Sequence, residues 1–399
     1  MSDASDAAVD DFRWLTSDTA ARWLRLAEEL ADEPLSGAER LRRELSAPRA
    51  AVVLEQAQLR RRARRKFSAA GRMFFTARGL EQATDETIAT YKRRRFAAGG
   101  TIADLCCGIG GDLVALAARG PVVGVERDAA TVVLAGANLA AVAAGDLKNA
   151  RVECGDAEGF DVGQSVAWHI DPDRRPAGKR TTRAALHEPS DVAIDALFRK
   201  NPAAAVKLAP AAEISDRWAA EAELEWIGHD RQCQQLVAWF GDLTTQSGER
   251  RASVLRGGEV HSLIGSRGIA PATAPAVGRF VYEPHAAVLA ADLWGDLAMR
   301  NELACIEPRI PYLTADAPVD DPLLARFEVL EVLPFRAWRL QAALRERRGG
   351  RLEIKKRGVD VDPAALRREL AVEGDEQLTV IVTRRARKTI AIIARRDVD

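Results

Sequence analysis

Three acidic residues lie at or near the ends of three short apolar segments in the middle of the chain. Asp104 lies in "TIADLCC", Glu126 ends "VVGVE", and Asp156 follows "VECG". If these segments are parallel strands, their carboxyl ends share the edge of the sheet where open α/β folds bind ligands. Glu126 can then accept hydrogen bonds from both ribose hydroxyls, and Asp156 can accept one from an adenine amine. The spacing predicts a site for an adenosine-like ligand.

A glycine-rich turn follows the first of these segments. Gly108, Gly110 and Gly111 precede the helical pattern "DLVALAARG". Glycine lets the backbone approach a ligand closely, and a helix N-terminus favours polar or anionic groups. Because many α/β proteins have such a turn, the three acids carry more of the prediction, and another nucleotide-binding α/β fold stays an alternative.

A second feature with possible chemistry is "WHIDPDRR", residues 168–175, where an apolar run passes directly into charge. Asp171 and Pro172 follow the apolar residues, and Arg174 comes two positions later. The carboxyl end of a strand is the place for a catalytic loop in such a fold. A charged turn without chemistry remains the alternative interpretation.

The cysteines and histidines do not indicate a metal site. Cys106 and Cys107 are adjacent, and neighbouring strand residues point to opposite faces, so the two thiols cannot easily hold one ion. The five cysteines form no C-x-x-C pair, which favours reduced thiols in a cytoplasmic protein. The five histidines are scattered, and only His169 lies near the predicted active strand end.

The elements around these residues alternate between strand and helix patterns. Seven apolar segments within residues 101–256 predict strands, among them "SVAWHIDP", "AAAVKLAP" and "ELEWIGHD", and most are followed by a helical pattern. The segment "RQCQQLVAWFGD" is interpreted as one of these helices. This alternation predicts a doubly wound α/β domain with a seven-stranded, Rossmann-like sheet.

The regions before and after this α/β domain have other secondary-structure patterns. Residues 1–80 are mainly helical, with "TSDTAARWLRLAEEL" starting at a Thr16 or Ser17 cap and "AAVVLEQAQLRRRARRKF" forming a second helix. From residue 326, strand and helix patterns predict a separate α+β unit that ends in a hairpin. The predicted organisation is a helical region (1–80), the α/β domain (81–260), a connecting segment (261–325) and the C-terminal domain (326–399).

The charge distribution points to a polyanionic partner. The 399 residues have a formal net charge of zero, yet residues 60–96 hold 12 Lys/Arg against 3 Asp/Glu, and residues 326–399 hold 18 against 12. Such basic regions suit a nucleic acid, although solvated arginine-rich surfaces are the alternative. No apolar run reaches the roughly 18 residues of a membrane span, and the acidic N-terminus is not a targeting signal, so we expect a cytoplasmic protein without a membrane partner.

The pattern D-x-x-C-G-x-G-G around Asp104 resembles motif I of the class I S-adenosylmethionine-dependent methyltransferases. The resemblance implies S-adenosylmethionine as cofactor, with Asp104 and the turn at residues 108–111 next to its methionine part. It makes Glu126 the ribose ligand and places Asp156 and Ala157 beside the adenine. The neighbouring Cys106 and Arg127 are further candidate cofactor contacts.

Residues 171–174 then resemble motif IV, which reads (D/N/S)-P-P-(Y/F/W) in members that methylate amines. This implies that Asp171 and the carbonyl of Pro172 accept the amine protons, while Arg174 replaces the stacking aromatic residue or holds a phosphate. The uracil C5-methylating class has D-P-P-R here. That class needs a nucleophilic cysteine after the next strand, and "VKLAP" supplies none.

Two wider resemblances extend along the chain. "EQATDETIATYKRRRFAAGGTIADLCCGIGGD" is similar to the entry of trimethylguanosine-synthase-like RNA cap guanine-N2 methyltransferases, where this segment folds over the cofactor; this makes Gln82, Ala83 and Thr84 candidate contacts. "VKLAP", "YEPHAAVLAA", "EVLPF" and "LEIKKRG" together resemble bacterial methyltransferases with a C-terminal THUMP-like domain. THUMP domains of other enzymes bind RNA, which implies a structured RNA partner, such as tRNA or rRNA. The cations of the predicted hairpin turn would contact phosphate: Arg384, Arg385, Arg387 and Lys388.

The sequence therefore predicts a methyltransferase that acts without a metal on a base amine of RNA. Two rival hypotheses stay open. The first is a methyltransferase of a small molecule or protein, with the C-terminal domain as a scaffold. The second is a non-catalytic module that binds the cofactor and RNA.

Overall fold

The structure, a computed structural model, describes residues 2–30, 39–142, 149–172 and 188–397. These residues form two compact units. The first runs up to Glu223 and includes Leu236–Gly248, and the second comprises Leu224–Gln235 and the chain from Glu249 onward. The predicted domain bounds stay a prediction. Within the described ranges, none of the helices has the length and apolar character needed to cross a membrane.

The first unit begins with helices, as predicted. A buried apolar cluster that includes Leu15, Trp23 and Val53 joins the helices in which these three residues lie. Ser17 lies at the N-cap position of a 3₁₀ turn (Asp18–Ala20) that leads directly into the next helix, but its hydroxyl donates to the carbonyl of Trp14 and makes no capping bond. Helices in the described part before the first strand include α1 (Ser2–Leu15), α2 (Ala21–Glu29), α3 (Ala47–Ala63), α4 (Ala77–Gln82) and α5 (Glu86–Lys92).

The α/β part of the chain follows these helices. Four of its short apolar segments are buried along all or nearly all of their length, which favours strands inside a parallel sheet. The strands up to residue 256 are β1 (Ile102–Leu105), β2 (Val122–Glu126), β3 (Arg151–Cys154), β4 (Ala167–Ile170), β5 (Ala204–Leu208), β6 (Glu223–His229), β7 (Gln232–Phe240) and β8 (Arg250–Arg256). The helices between them are α6 (Gly111–Leu116), α7 (Ala129–Val142), α8 (Asp191–Lys200) and α9 (Asp216–Glu221).

In the first unit the strand order is β3-β2-β1-β4-β5-β7. β1 to β5 are parallel, and β7 runs antiparallel to β5. The Rossmann-like α/β class is thus confirmed. The carboxyl ends of β1, β2, β3 and β4 lie at one edge of the sheet, where the predicted acids are found.

The prediction of a helix after β6 is wrong. The segment forms β7, and residues 101–256 therefore contain eight strands instead of seven within the described part. Asp230 takes a left-handed conformation with φ 55°, which turns the chain tightly into β7. Leu236–Phe240 are all buried, and a short apolar run buried on both faces suits a strand better than an amphipathic helix.

The second unit contains β6, β8 and β9 in this order, with β8 antiparallel to β9, and a seven-stranded sheet ordered β11-β12-β10-β13-β16-β15-β14. The predicted final hairpin is confirmed as β15 and β16, whose turn has Ala386 and Arg387 at positive φ. The remaining strands are β9 (Glu259–Gly265), β10 (Phe280–Pro284), β11 (Ala304–Glu307), β12 (Ile310–Ala315), β13 (Leu324–Pro334), β14 (Gly349–Lys356), β15 (Glu376–Arg385) and β16 (Lys388–Arg396). The remaining helices are α10 (Ala286–Ala290), α11 (Trp294–Arg300), α12 (Ala337–Glu346) and α13 (Pro363–Leu370).

Candidate active site

A cavity of about 460 Å³ lies in the first unit at the carboxyl ends of β1 to β4. Its other wall is the segment 76–84, which contains α4. The structure brings most of the predicted site residues together here. Those lining the cavity are Thr84, Asp104, Cys106, Gly108, Gly111, Glu126, Arg127, Asp156, Ala157, Asp171 and Pro172.

Two predicted residues are not among those lining the cavity. Gly110 lies directly before α6 in a left-handed conformation, with φ 88°, and its α-carbon faces Ala135 instead of the cavity. Its conformation explains the glycine, since L-residues rarely adopt it. Arg174 lies outside the described residues, as does Asp173, so the second half of "DPDRR" keeps only its sequence prediction.

The turn after β1 is built from left-handed residues. Cys106 and Gly108 have φ values of 55° and 54°, which redirects the chain sharply out of the strand. A Cβ on Gly111 would lie 3.2 Å from the carbonyl oxygen of Thr84 and 3.3 Å from its nitrogen. The glycine at this position therefore lets the segment 76–84 pass close to the start of α6, which closes one side of the cavity.

The two acids predicted to bind an adenosine are held by backbone amides. The Glu126 carboxylate accepts hydrogen bonds from the amides of Gly108, at 3.1 Å, and Asp128, at 3.0 Å. Asp156 accepts one from the amide of Glu158 at 3.2 Å. Each carboxylate retains acceptor capacity, because two oxygens offer about four lone-pair sites. Both are thus fixed in orientation and can still bind hydroxyl or amine groups.

Other predicted contacts are already engaged within the protein. The Thr84 hydroxyl donates to Asp112 Oδ2 at 2.5 Å, so its hydroxyl proton is not directed at a ligand. Arg127 forms an exposed ion pair with Glu188, with 2.7 Å between Nη1 and Oε2. Screening by water makes this ion pair weak, so the Arg127 guanidinium can leave it at little cost.

Neither cysteine at the turn supplies a thiolate. Burial, and then the charge of neighbouring carboxylates, raises the pKa of the Cys106 thiol, and burial likewise raises the pKa of Cys107. Among the described residues no group of three or more His, Cys, Asp or Glu side chains could hold a metal ion. The two thiols are thus held in their neutral form beside the carboxylates that line the cavity.

At the wall of the cavity, four charged or polar side chains form a hydrogen-bonded chain, and three of them line the cavity. Asp104 and His169 are opposite partners on β1 and β4, so both side chains leave the same face of the sheet. His169 Nδ1 lies 2.7 Å from Asp104 Oδ1, and His169 Nε2 lies 3.2 Å from Lys92 Nζ. Lys92 Nζ also lies 2.7 Å from Asp112 Oδ1. We call Lys92, Asp104, Asp112 and His169 the cavity cluster.

The cavity cluster is almost dry, and one of its atoms is unsatisfied. The side chains of Lys92 and His169 are 2% exposed and that of Asp104 is 1% exposed. Asp104 Oδ2 has no hydrogen-bond partner among the residues that the structure describes. Burial raises the pKa of Asp104 above its ordinary value, although His169 opposes this. A buried carboxylate with an unsatisfied oxygen at a cavity wall fits a cationic ligand group.

Asp171 is also held by a lysine. Asp171 follows β4, one position beyond the pair Ile170 and Val206, and its Oδ2 lies 2.5 Å from Nζ of Lys207 on β5. The same ammonium donates to the carbonyl of Gln82 at 3.2 Å. Lys207 thus connects the carboxylate at the end of β4 with the segment 76–84.

Three charged residues of this region were not predicted from the sequence: Lys92, Asp112 and Lys207. Lys207 had a signal, since it is a single charge within the apolar run "AAAVKLAP". Asp112 had a weaker one, directly after the glycine turn. Lys92 had none, because it is one of four consecutive cations in "YKRRRF" and only the fold shows that this one is buried.

Comparison with known proteins gives relatives over most of the chain. An uncharacterized S-adenosylmethionine-dependent methyltransferase of Mycobacterium tuberculosis is 33% identical over 353 residues, which cover 84% of this chain and 93% of the relative. The corresponding protein of a second strain gives the same values. Residues 324–396 match the family described as THUMP domain-like, and residues 6–63 match a family described as a domain of unknown function.

One solved structure is similar over nearly the whole length. It is the crystal structure of a candidate methyltransferase from Porphyromonas gingivalis, with a TM-score of 0.76 and 20% sequence identity. The similarity covers 95% of this chain and 99% of that chain. At this identity the likeness concerns the fold.

Proposed function

The chain belongs to the S-adenosylmethionine-dependent methyltransferases, and its C-terminal region is THUMP-like; from this premise we propose that it methylates a base amine of RNA. When bound, S-adenosylmethionine supplies an electrophilic methyl group. The resemblance to cap guanine-N2 methyltransferases stays part of this proposal, because it concerns the acceptor and not the cofactor.

The residues at the cavity fit the cofactor. Asp104 Oδ2 is a buried acceptor without a partner among the described residues, which suits the ammonium of the methionine part. Glu126 follows on the next strand, where its fixed carboxylate suits the ribose hydroxyls. Asp156 and Ala157 follow on the third strand and suit the adenine. The residues suited to the ammonium, the ribose and the adenine thus follow β1, β2 and β3 in the same order as these groups occur along the cofactor.

The observation that supports an amine as methyl acceptor is the position of Asp171. Its carboxylate lies at the cavity wall, and its Oδ2 lies 2.5 Å from Lys207 Nζ. When bound, the cofactor would supply its methyl group to the amine nitrogen and would leave as S-adenosylhomocysteine, and the proton that the amine loses would pass to water. Asp171 accepts a hydrogen bond from that proton, and the carbonyl of Pro172 accepts one from the second. Fixing the nitrogen in this way orients its lone pair, which is how positioning lowers such barriers.

Exposed groups of the second unit support an RNA substrate. Arg384, Arg387 and Lys388 are exposed at or beside the turn between β15 and β16, where phosphate can reach them. Trp338 on α12 is 67% exposed, and the Arg339 guanidinium lies 5.1 Å from the centre of its ring. An exposed aromatic ring beside arginine suits an unpaired base, and the cations suit the backbone.

Methyl transfer from radiolabelled S-adenosylmethionine tests the proposal. The substrates are size-fractionated bacterial RNA, a protein extract and a metabolite pool. The proteins are wild type, Asp171→Asn and the control Asp242→Asn, an exposed acid of the same unit that does not line the cavity. We expect label in an RNA fraction with wild type and with the control. Removing Asp171 should lower transfer by about 10²–10³-fold, as for other groups that orient a reacting centre.

The other outcomes separate the rival hypotheses. Label in protein or metabolites alone would contradict the RNA substrate and leave the methyltransferase. Full transfer by Asp171→Asn would contradict the role of Asp171. If no pool is labelled while S-adenosylhomocysteine still binds in calorimetry, the non-catalytic module is favoured. RNA affinity should also fall steeply with salt, because phosphate contacts release counterions.

A further inference from the structure

Lys92 and His169 are buried beside Asp104, and the proposed reaction gives them no role. Lys92 comes from α5, and His169 comes from β4. Together with Asp112 they place ionisable groups where a packed apolar core would be more stable, since burying charged groups costs free energy even when they are paired. A stability role alone therefore explains this arrangement poorly.

The direction of both hydrogen bonds of His169 follows from Lys92, when its amine is protonated, and from the ionised Asp104 carboxylate, which can only accept. An ammonium can only donate, so at 3.2 Å the Nε2 atom of His169 must be the acceptor. A neutral imidazole that accepts at Nε2 carries its proton at Nδ1. Nδ1 lies 2.7 Å from Asp104 Oδ1, so His169 donates to that carboxylate oxygen. The chain of donors thus ends on one oxygen of Asp104 and leaves Oδ2 as the remaining acceptor.

Among the described residues that pair with one another in and beside the cavity cluster, carboxylates outnumber ammonium groups by one. Three carboxylates, Asp104, Asp112 and Asp171, lie with two ammonium groups, Lys92 and Lys207, when His169 is neutral. The ammonium of Lys92 balances Asp112, whose pKa is raised by burial but lowered more strongly by the charges of Lys92 and Lys207. Lys207 balances Asp171 at 2.5 Å. The remaining charge is that of Asp104, which a cationic ligand group would neutralise.

We propose that Lys92 and His169 are positioning residues that prepare Asp104 for the ammonium group of the cofactor's methionine part. Lys92 donates to Nε2 and holds the ring of His169, and His169 fixes the Asp104 carboxylate through Oδ1. Oδ2 is then presented to the ligand with its acceptor sites free. This inference rests on the proposed cofactor site, but it assigns to two buried residues a role that the reaction itself does not require.

Two ligands that differ in the methionine part test this directly. S-adenosylhomocysteine contains the amino acid part with its ammonium, whereas 5′-methylthioadenosine keeps the adenosine and the sulfur but lacks the amino acid. Dissociation constants are measured by calorimetry for the full-length wild type and for each variant. A residue that acts through Asp104 changes the affinity for the first ligand only, whereas general damage to the site weakens both.

The first pair of variants separates the two nitrogen atoms of His169. His169→Leu removes the donor to Asp104, and we expect about 10- to 100-fold weaker binding of S-adenosylhomocysteine, the range of a lost hydrogen bond to a charged group. The affinity for 5′-methylthioadenosine should change less than about twofold. His169→Asn places an amide donor near the position of Nδ1 and should restore most of the loss. Equal weakening for both ligands, or no weakening, would overturn the proposal.

A second variant changes Lys92, which contacts His169 but not Asp104, and leaves the net charge of the cavity cluster unchanged. Lys92→Met combined with Asp112→Asn removes a matched pair and retains an acceptor for the Thr84 hydroxyl. Without Lys92, Nε2 of His169 loses its donor, so the ring is held less firmly in the orientation that donates to Asp104. The same selective loss for S-adenosylhomocysteine is expected, and unchanged binding would contradict the role of Lys92. This variant also provides the test if His169→Leu does not fold.

The wild type separates this inference from the proposed function. Equal wild-type affinity for the two ligands would overturn the inference and leave the cofactor site intact. Binding of neither ligand would overturn the cofactor site and this inference together. Selective loss in the variants, with wild type favouring S-adenosylhomocysteine, would support both.

Discussion

Two groups of ionisable side chains in this protein both combine carboxylates with cations, but they differ in their exposure to water. The cavity cluster lies in the first unit. In the second unit, Glu283, Glu353, Lys355 and Arg396 form what we call the sheet cluster, with Lys355 Nζ 2.6 Å from Glu283 and Arg396 Nη1 3.1 Å from Glu353. Side chains of the sheet cluster are 16–32% exposed, whereas those of the cavity cluster are at most 9% exposed.

The difference separates a structural cluster from a site. In the sheet cluster each carboxylate has a cation, and the ends of Lys355 and Arg396 lie over the Phe327 ring at 5.7 and 5.3 Å. Water screens these charges, and the long stems cover an aromatic ring, so packing accounts for them. The cavity cluster lacks that screening and leaves Asp104 Oδ2 without a partner among the described residues. Burial together with an unmatched acceptor, and not charge density, marks the site.

The largest expected difference is in stability. Lys92→Met leaves Asp112 buried without its cation, which should lower the free energy of unfolding by about 3–5 kcal/mol. Lys355→Met, its counterpart in the sheet cluster, should cost about 1 kcal/mol or less, because Glu283 keeps Arg357 at 3.2 Å and is reached by water. Urea denaturation of both variants measures the two values. Equal losses would remove the distinction between the clusters.

The next largest effect is on ligand binding. Asp104→Asn keeps the shape of the side chain but removes its charge, and we expect a loss of about 1.5–3 kcal/mol in the binding of S-adenosylhomocysteine. Glu283→Gln, the matched change in the sheet cluster, should leave this affinity unchanged. Calorimetric titration of both variants gives the comparison. An unaffected Asp104→Asn would show that Asp104 does not bind the ammonium.

A smaller effect concerns pH. Because the pKa of Asp104 is raised in the free protein, its carboxyl group is partly protonated below that pKa and must lose the proton to pair with an ammonium. Affinity for S-adenosylhomocysteine should therefore rise with pH below this pKa, by at most about tenfold per pH unit, and then level off.

Titrations in buffers of different ionisation enthalpy count the protons released. The groups that face Asp104 are His169, Asp112 and Lys92, so Asp104→Asn is the control in which the pH dependence should disappear. A slope that persists in this variant would assign the proton to another group.

The smallest effect is expected in the sheet cluster at acid pH. Burial would raise the pKa of Glu353, but Lys355 and Arg396 outweigh it and lower this pKa. Glu353 thus contributes stability that is present above the ordinary glutamate value of about 4.3 and is lost as pH falls below it. Glu353→Gln should remove about 1 kcal/mol or less at neutral pH and nothing at low pH. A loss independent of pH would indicate packing instead of charge.

Much of the architecture could be predicted because its signals are local. Short apolar runs, each followed by a turn, gave β1 to β5, and the run "EQLTVIVTRR" with "KTIAIIARR" gave the final hairpin. The error at β7 came from a segment whose local pattern suits either element. Its state is decided by pairing with β5, through contacts such as Phe240 with Ala204 that are distant in sequence.

In the candidate site, too, some residues could be predicted from the sequence and others could not. Asp104, Glu126, Asp156 and Asp171 were found from sequence because parallel strands bring their carboxyl ends to one edge, whatever the details of packing. The partners of these acids were not found. Lys92 and His169 are 77 residues apart and meet only because α5 packs beside the end of β4.

The sequence by itself determined which acids face the cavity, since strand order and alternation follow from short-range patterns of apolar residues. The tertiary structure decided which charged groups are buried and which are paired. It also leaves one oxygen of Asp104 without a partner among the described residues. Burial depends on every element packed around a residue, so the sequence alone does not show which lysine or arginine of a basic run is buried. The strength of an electrostatic interaction depends on that burial, and for this reason the preparation of Asp104 is visible only in three dimensions.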